Sequence, residues 1–416
     1  GVARIDNKAT FIHGALPDET VMFRYTLGKR SHDEGQATQI IQAAPARVEP
    51  ACEHYAICGG CSLQHLASEQ QIVHKQALLL DNLAQIGNVA PQQVLPPLIN
   101  QDPWGYRRKA RLGVKYVAKK GRVLVGFRER GGRLLADLTS CLVLHPKVGK
   151  ALPALATVIE QLSIREQIPQ IEVAMDDEQC ALIFRVLETP TDQDKKSLHD
   201  FAQQHGYHLY LQSAGPDSIE LLSDEGVQLC YQLPQQQISL QFRVNDFTQV
   251  NTAINQQMVT QAVQLLSLEN TDQVLDLFCG IGNFTLPIAR HAQQAVGVEG
   301  SAGLVQRARE NAVLNQVDNA SFYTANLYET LEPATWLNQS FTKALLDPPR
   351  SGAQQVLSLL PKLGVQQLVY VSCYPGTLAR DAGELVHQHG YQLISAGVMD
   401  MFPHTSHVES MALFSR

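Results

Sequence analysis

Cys373 ends an apolar, strand-like run, Leu368-Val369-Tyr370-Val371-Ser372-Cys373-Tyr374-Pro375, just before a helix expected to start near Gly376. A helix N-terminus favours thiolate over thiol, so this position predicts a nucleophile. A second run, Ala344-Leu345-Leu346-Asp347-Pro348-Pro349-Arg350, ends in a carboxylate and a guanidinium. A third, Val274 to Phe284, contains Cys279-Gly280-Ile281-Gly282-Asn283, a glycine-rich turn between strand and helix. Gly-x-Gly lets backbone approach a ligand closely. In an open parallel sheet, ligands sit beyond the carboxyl ends of strands at such a turn. A dinucleotide fingerprint needs a third Gly or Ala where this chain has Thr285, which argues against NAD. Glu299 ends the next strand, 17 residues after Gly282, and can accept both hydroxyls of a ribose. With Asp276 before the turn and Glu299 after it, S-adenosylmethionine (SAM) is the leading ligand, against a purely structural tight turn. Cys279 inside the turn reads as a small packed hydrophobe.

A thiolate beside a methyl donor suggests a carbon target. Uracil C5 is too weak a nucleophile to take a sulfonium methyl unaided. A thiolate adding to C6 makes an enolate whose C5 is nucleophilic. A base must then remove the C5 proton so that the thiol can leave. Glu409, at the end of Asp400-Met401-Phe402-Pro403-His404-Thr405-Ser406-His407-Val408-Glu409, is the candidate base, with a surface carboxylate as the competing reading.

Three of the eight cysteines form Cys52-x5-Cys58-x2-Cys61. A secreted disulfide scaffold would be short and cysteine-dense, and this chain is neither. Without a secretory signal pattern, a reducing cytosol is expected, where such a group more often holds a metal. The spacing suits iron–sulfur or zinc.

The elements that position these residues follow a change of pattern along 416 residues. Residues 1–46 alternate apolar and polar positions between turn residues, which predicts a small β-barrel. Residues 47–245 predict a central α+β domain, with a helix from about Leu66 to Ile86 stopped by Gly87. From residue 246, short apolar strands alternate with helices, the pattern of a doubly wound parallel sheet. The predicted fold class is therefore α/β, with a Rossmann-like C-terminal domain. Hydrophobic residues make up 44%, which excludes a disordered chain, and no apolar run is long enough to span a bilayer. The net charge of −7 excludes a uniformly basic binder, yet residues 107–133 hold eleven Lys/Arg against one acid, Glu129. That segment reads either as a phosphate-backbone track or as a solvated strand face.

Together these motifs resemble the RNA uracil-5-methyltransferases, in particular the bacterial branch that acts on 23S rRNA and carries an N-terminal TRAM barrel and an iron–sulfur cluster. The resemblance also rests on Asp246-Phe247-Thr248-Gln249-Val250-Asn251 and spans essentially the whole chain. It departs at Asp347-Pro348-Pro349-Arg350, where some members have Ala for the second Pro. It implies Cys373 as nucleophile and Glu409 as base. Gln249, Phe278, Asn283, Glu299, Asn326 and Asp347 would line the SAM pocket, with Gln249 also near the target base. Arg350 would hold substrate or offset developing negative charge. Cys52, Cys58, Cys61 and Cys141 would ligate a [4Fe–4S] cluster. Four protein ligands leave no iron open for SAM, so the implied cluster is structural or RNA-contacting. The implied partner is 23S rRNA, in the cytoplasm, with no obligate protein partner; the rivals are the same chemistry on tRNA and a non-catalytic RNA-binding iron–sulfur protein.

Overall fold

The structure is a computed structural model that describes residues 1–329 and 334–416. The N-terminal strands Val2–Ile5, Lys8–His13, Thr20–Gly28 and His32–Gln42 form a four-stranded sheet. Where the alternation predicted a barrel, two hairpins are seen, joined by a parallel ladder between Lys8–His13 and His32–Gln42.

The central sheet runs in the spatial order Ile219–Leu221, His208–Gln212, Cys180–Arg185, Gln170–Met175, Lys109–Val117, Arg122–Gly126. The C-terminal sheet is built from Gln273–Leu277, Gln294–Glu299, Ala320–Thr324, Lys343–Leu346, Gln367–Ser372, Gln392–Met399 and Glu409–Ser415. Numbered along the chain, these lie in the order 3-2-1-4-5-7-6. The first five are parallel and Glu409–Ser415 runs antiparallel beside Gln367–Ser372. The order reverses between the first and fourth strands. That switch point opens a crevice at the strands' carboxyl ends. Leu275, Val296, Leu345 and Val369 are fully buried, as expected for strands covered on both faces.

Part of the stretch read as a central domain packs on this C-terminal sheet. Helix Ser68–Gln85 lies against helix Pro375–His389, and Gln93–Val94 adds a strand beside Gln392–Met399. Leu79 and Leu83 enter the same core as Leu378 and Leu385. The hairpin Leu229–Leu233/Ile238–Phe242 covers the opposite face with helices Thr252–Leu266 and Ala302–Leu314. Asn311 and Asn315 accept from the Gln241 and Ser239 amides at 2.9 and 2.7 Å, so each end of that contact is satisfied. No described helix is long and apolar enough to cross a membrane.

Candidate active site

The sheet register builds the reaction centre. Ser372 pairs with Ser410 at the last rung of the ladder, so Cys373 and Glu409 are the next residues along the two segments, and the Glu409 charge acts on the thiol. Leu346 pairs with Leu277 and with Tyr370, so Asp347 and Phe278 leave their strands side by side at the same edge. The structure thus brings together Cys373, Glu409, Asp347 and Phe278, which lie up to 131 positions apart in the chain.

The electrostatics here differ from those of an isolated helix N-terminus. Burial pushes the Cys373 thiol up to about 11, and the Glu409 and Asp347 carboxylates add to the rise. Arg350 opposes it. The free chain therefore holds a neutral thiol, not the thiolate that the position before helix Pro375–His389 favours by itself. Desolvation outweighs a partial positive charge. Burial likewise raises Glu409 to about 8, with Asp347 adding and Arg350 and Lys75 opposing. Asp347 is raised to about 7 by burial, although its side chain keeps a window to solvent. Asp276 rises to about 8, chiefly through burial; the Thr285 hydroxyl donates to it across the glycine turn.

Phe278 has φ of +67°, in a region that bulky residues seldom adopt. Gly280 and Gly282, at +55° and +92°, continue the turn. The amides of Phe278 and Cys279 both donate to the Val298 carbonyl, at 2.9 and 3.2 Å. Glu299 accepts from the Gly280 and Ser301 amides at 3.2 and 3.0 Å, which fixes its carboxylate at the end of the second strand. Asn326, exposed two residues past the third strand, accepts from the Tyr328 amide. Gln249 is half-buried beside Arg108 and Thr252. The Asn283 amide is engaged at both ends: it exchanges hydrogen bonds with Asn255 and accepts from the Tyr231 hydroxyl. Its side chain braces the turn against helix Thr252–Leu266 and the Leu229–Leu233 strand.

Supporting residues were invisible to motif reading. The Asp381 carboxylate accepts from the Tyr370 hydroxyl at 2.6 Å and from the Ala353 amide at 2.8 Å, tying down the chain that follows Arg350. Arg350 donates to His407 at 2.9 Å. Lys75 forms a buried ion pair with Asp400 at 2.7 Å and also donates to the Phe402 carbonyl.

Cys52, Cys58, Cys61 and Cys141 line one cavity with Tyr55, Phe127, Leu138 and Val143. Burial raises the Cys58, Cys61 and Cys141 thiols, Cys61 to about 12, and each is raised further by at least one of the other cysteines. Arg130 donates to the Cys61 and Tyr55 carbonyls and lies over the Tyr55 ring at 4.5 Å. No group of three or more His, Cys, Asp or Glu among the described residues is arranged to hold a single metal ion.

Most of the basic segment's side chains are exposed, but several are paired. Lys109 is half-buried and donates to the Val244 and Asp246 carbonyls, and desolvation lowers it to about 8. Arg108 pairs with Asp177, Arg111 with Glu172, and Lys120 and Arg122 with Asp137. Lys115, Lys119 and Arg133 are exposed and make no ion pair among the described residues. Charge counting along the chain overstates the free cationic surface, because strand pairing brings acids such as Glu172 beside these side chains.

Residues 138–416 match the family model described as tRNA (Uracil-5-)-methyltransferase. The chain belongs to the RNA uracil-5-methyltransferase family. It is 51% identical over 422 residues to a 23S rRNA (uracil(1939)-C(5))-methyltransferase, RlmD, of Francisella tularensis subsp. novicida, covering 100% of this chain and 94% of that one. It is also 51% identical to the RlmD of Xanthomonas axonopodis pv. citri, with the same coverage. The crystal structure of Pyrococcus abyssi tRNA (uracil-54, C5)-methyltransferase with S-adenosyl-L-homocysteine superposes with a TM-score of 0.73 at 23% identity, covering 100% of this chain and 97% of that one. That likeness establishes a shared family fold.

Proposed function

We propose that this enzyme methylates C5 of a uridine in 23S ribosomal RNA, at the position named in the RlmD relatives, with SAM as donor. The observation that carries the chemistry is the Ser372–Ser410 rung, past which Cys373 and Glu409 are each the next residue, at the sheet edge where the glycine turn and Asp347 also end. Gln249, Phe278, Asn283, Glu299, Asn326 and Asp347 surround the proposed donor site, Asn283 through its backbone. Bound SAM supplies an electrophilic methyl on a sulfonium cation. A cation beside Asp347, Glu409 and Cys373 favours their ionised forms, so donor binding prepares both nucleophile and base.

The Cys373 sulfur bonds to uracil C6, and the C5=C6 electrons move toward the C4 carbonyl, making C5 nucleophilic. Arg350 stands where it can offset that negative charge. C5 takes the methyl as the donor's sulfonium–methyl bond breaks and a neutral thioether leaves; Glu409 then takes the C5 proton. The C5=C6 bond re-forms, the S–C6 bond breaks, and Cys373 leaves as thiolate. Reaching a uridine inside folded RNA requires swinging it out of its stack.

Cys52, Cys58, Cys61 and Cys141 fit a [4Fe–4S] cluster better than a single zinc. The four sulfurs around one cavity would be the ones to hold it, as thiolates. Buried thiols that are otherwise neutral would be deprotonated by the metal. The N-terminal sheet acts as a TRAM-type RNA-binding module, and Lys115, Lys119 and Arg133 contact phosphates. A ribosomal substrate fits a cytoplasmic protein.

The tRNA enzyme of known structure matches the full length of this chain, so an added N-terminal strand module does not by itself separate rRNA from tRNA substrates. The identity of about half to the RlmD proteins favours 23S rRNA. Incubating the protein with labelled SAM and either unmodified 23S rRNA or tRNA tests this. Label is expected in 23S rRNA only and none with Cys373→Ala; transfer to tRNA alone overturns the substrate assignment.

A further inference from the structure

The base-bearing segment 400–408 is held by the stretch of chain that leaves the cysteine group. His404 is buried at 3% exposure and has φ of +65°. Its carbonyl accepts from the Ser62 and Leu63 amides, both at 2.9 Å, directly after Cys61. Its amide donates to the Gln71 side-chain oxygen at 2.8 Å, and the Gln71 nitrogen meets its Nδ1 at 3.2 Å. Its ring stacks on Trp104 at 3.8 Å with 20° between planes. On either side, Tyr106 donates to the Pro403 carbonyl at 3.1 Å, and the Ser406 amide donates to the Ser62 hydroxyl at 2.9 Å. Ser62 is itself anchored, since its carbonyl accepts from the Tyr55 hydroxyl at 2.7 Å. Tyr55 and Cys61 are held in turn by Arg130.

We propose that His404 is a positioning residue for the general base: it locks the 400–408 segment onto the Ser62–Leu63 backbone, so that an ordered cysteine arm is a condition for proton removal by Glu409. This rests on the reaction proposed above and goes beyond it, because it gives the distant cysteines a defined route to one chemical step. The other end of the segment is pinned by the Lys75–Asp400 pair, and Val408 enters the core, so His404 is the anchor in the middle. A left-handed histidine is tolerable because the short polar residues and His occupy that region more readily than bulky ones. Base catalysis is steep in distance, and a displacement of about 1 Å can cost about 100-fold.

The test separates methyl transfer from elimination. In single-turnover reactions with labelled SAM, His404→Ala is expected to transfer methyl to RNA within a few-fold of wild type. Release of methylated RNA should slow by about 10- to 100-fold, so a protein–RNA adduct stable on denaturing gels accumulates. His404→Asn, which accepts φ > 0 and retains an acceptor for Gln71, should restore release. Amide exchange gives a readout independent of activity: Cys58→Ser should speed exchange at Ser62 and Leu63, and His404→Ala should speed it at the same two amides. Wild-type release by His404→Ala overturns the proposal, as does equal slowing of both steps. Unchanged exchange at Ser62 and Leu63 in Cys58→Ser overturns the link to the cysteines. A wild-type protein that transfers no methyl to any RNA overturns the reaction itself and the clamp with it, whereas an active wild type with a normal His404→Ala overturns the clamp alone.

Discussion

Replacing Lys75 with Met removes one charge from a pair whose side chains are 1% and 11% exposed and lie 2.7 Å apart. The methionine retains most of the buried volume, so the perturbation is electrostatic. Burial lowers Lys75 from its usual value, Asp400 raises it, and Glu409 raises it further. Removing one partner of a buried pair costs about 3–5 kcal/mol because the other charge is stranded. Urea unfolding of wild type, Lys75→Met, Asp400→Leu and the double variant at pH 7 measures it. The double variant should recover most of the loss, since no charge remains buried. A Lys75→Met penalty below about 1 kcal/mol would refute the reasoning. Lys75 also favours the ionised form of Glu409. The pH at which product release becomes half-maximal should therefore rise in the Lys75→Met variant.

The crevice acids predict a pH dependence of stability. Asp276, Asp347 and Glu409 keep their protons to about 8, 7 and 8 in the folded chain, and all three ionise near 4 once unfolded. Buried His65 and His404, lowered to about 4, oppose this only below about pH 6.5. Between about pH 6.5 and 8 the folded state binds more protons, so stability falls as pH rises. Asp347→Asn should flatten that slope in thermal melts, and an unchanged slope would count against the carboxyl assignment. Glu409→Gln should trap a covalent protein–RNA adduct visible on denaturing gels, because the C5 proton stays in place; clean release of methylated RNA would rule out Glu409 as base. Cys58→Ser should lose the brown absorbance and bound iron of the purified wild type, and a colourless, zinc-loaded wild type would refute the cluster.

Much of the reaction centre was legible because it sits on local patterns. Apolar strands ending in Asp347, Cys373 and the Gly280–Gly282 turn follow the rule that parallel strands present ligand sites at their carboxyl ends. Strand limits were found to within a residue or two, as at Gln273–Leu277 and Gln367–Ser372. Helix Ser68–Gln85 was equally visible, but its apolar stripe does not state which partner it covers. It covers Pro375–His389, roughly 300 residues away. For the basic segment, a list of charges omits the acids, such as Glu172 and Asp137, that folding sets beside it.

Residue order alone marked which side chains are candidates for chemistry: a thiol before a helix, carboxylates after buried strands, a glycine turn, and a spaced set of cysteines. These depend on residue type and short spacing, and neither changes on folding. Tertiary structure decided their protonation, their partners and their coupling. Burial in the crevice raises the Cys373 thiol, with Glu409 and Asp347 adding to it. Ser62, Leu63, Gln71 and Trp104 hold His404, five residues before Glu409. Electrostatic and hydrogen-bond energies depend on distance and solvent exposure, and only packing sets those for residues more than 300 positions apart.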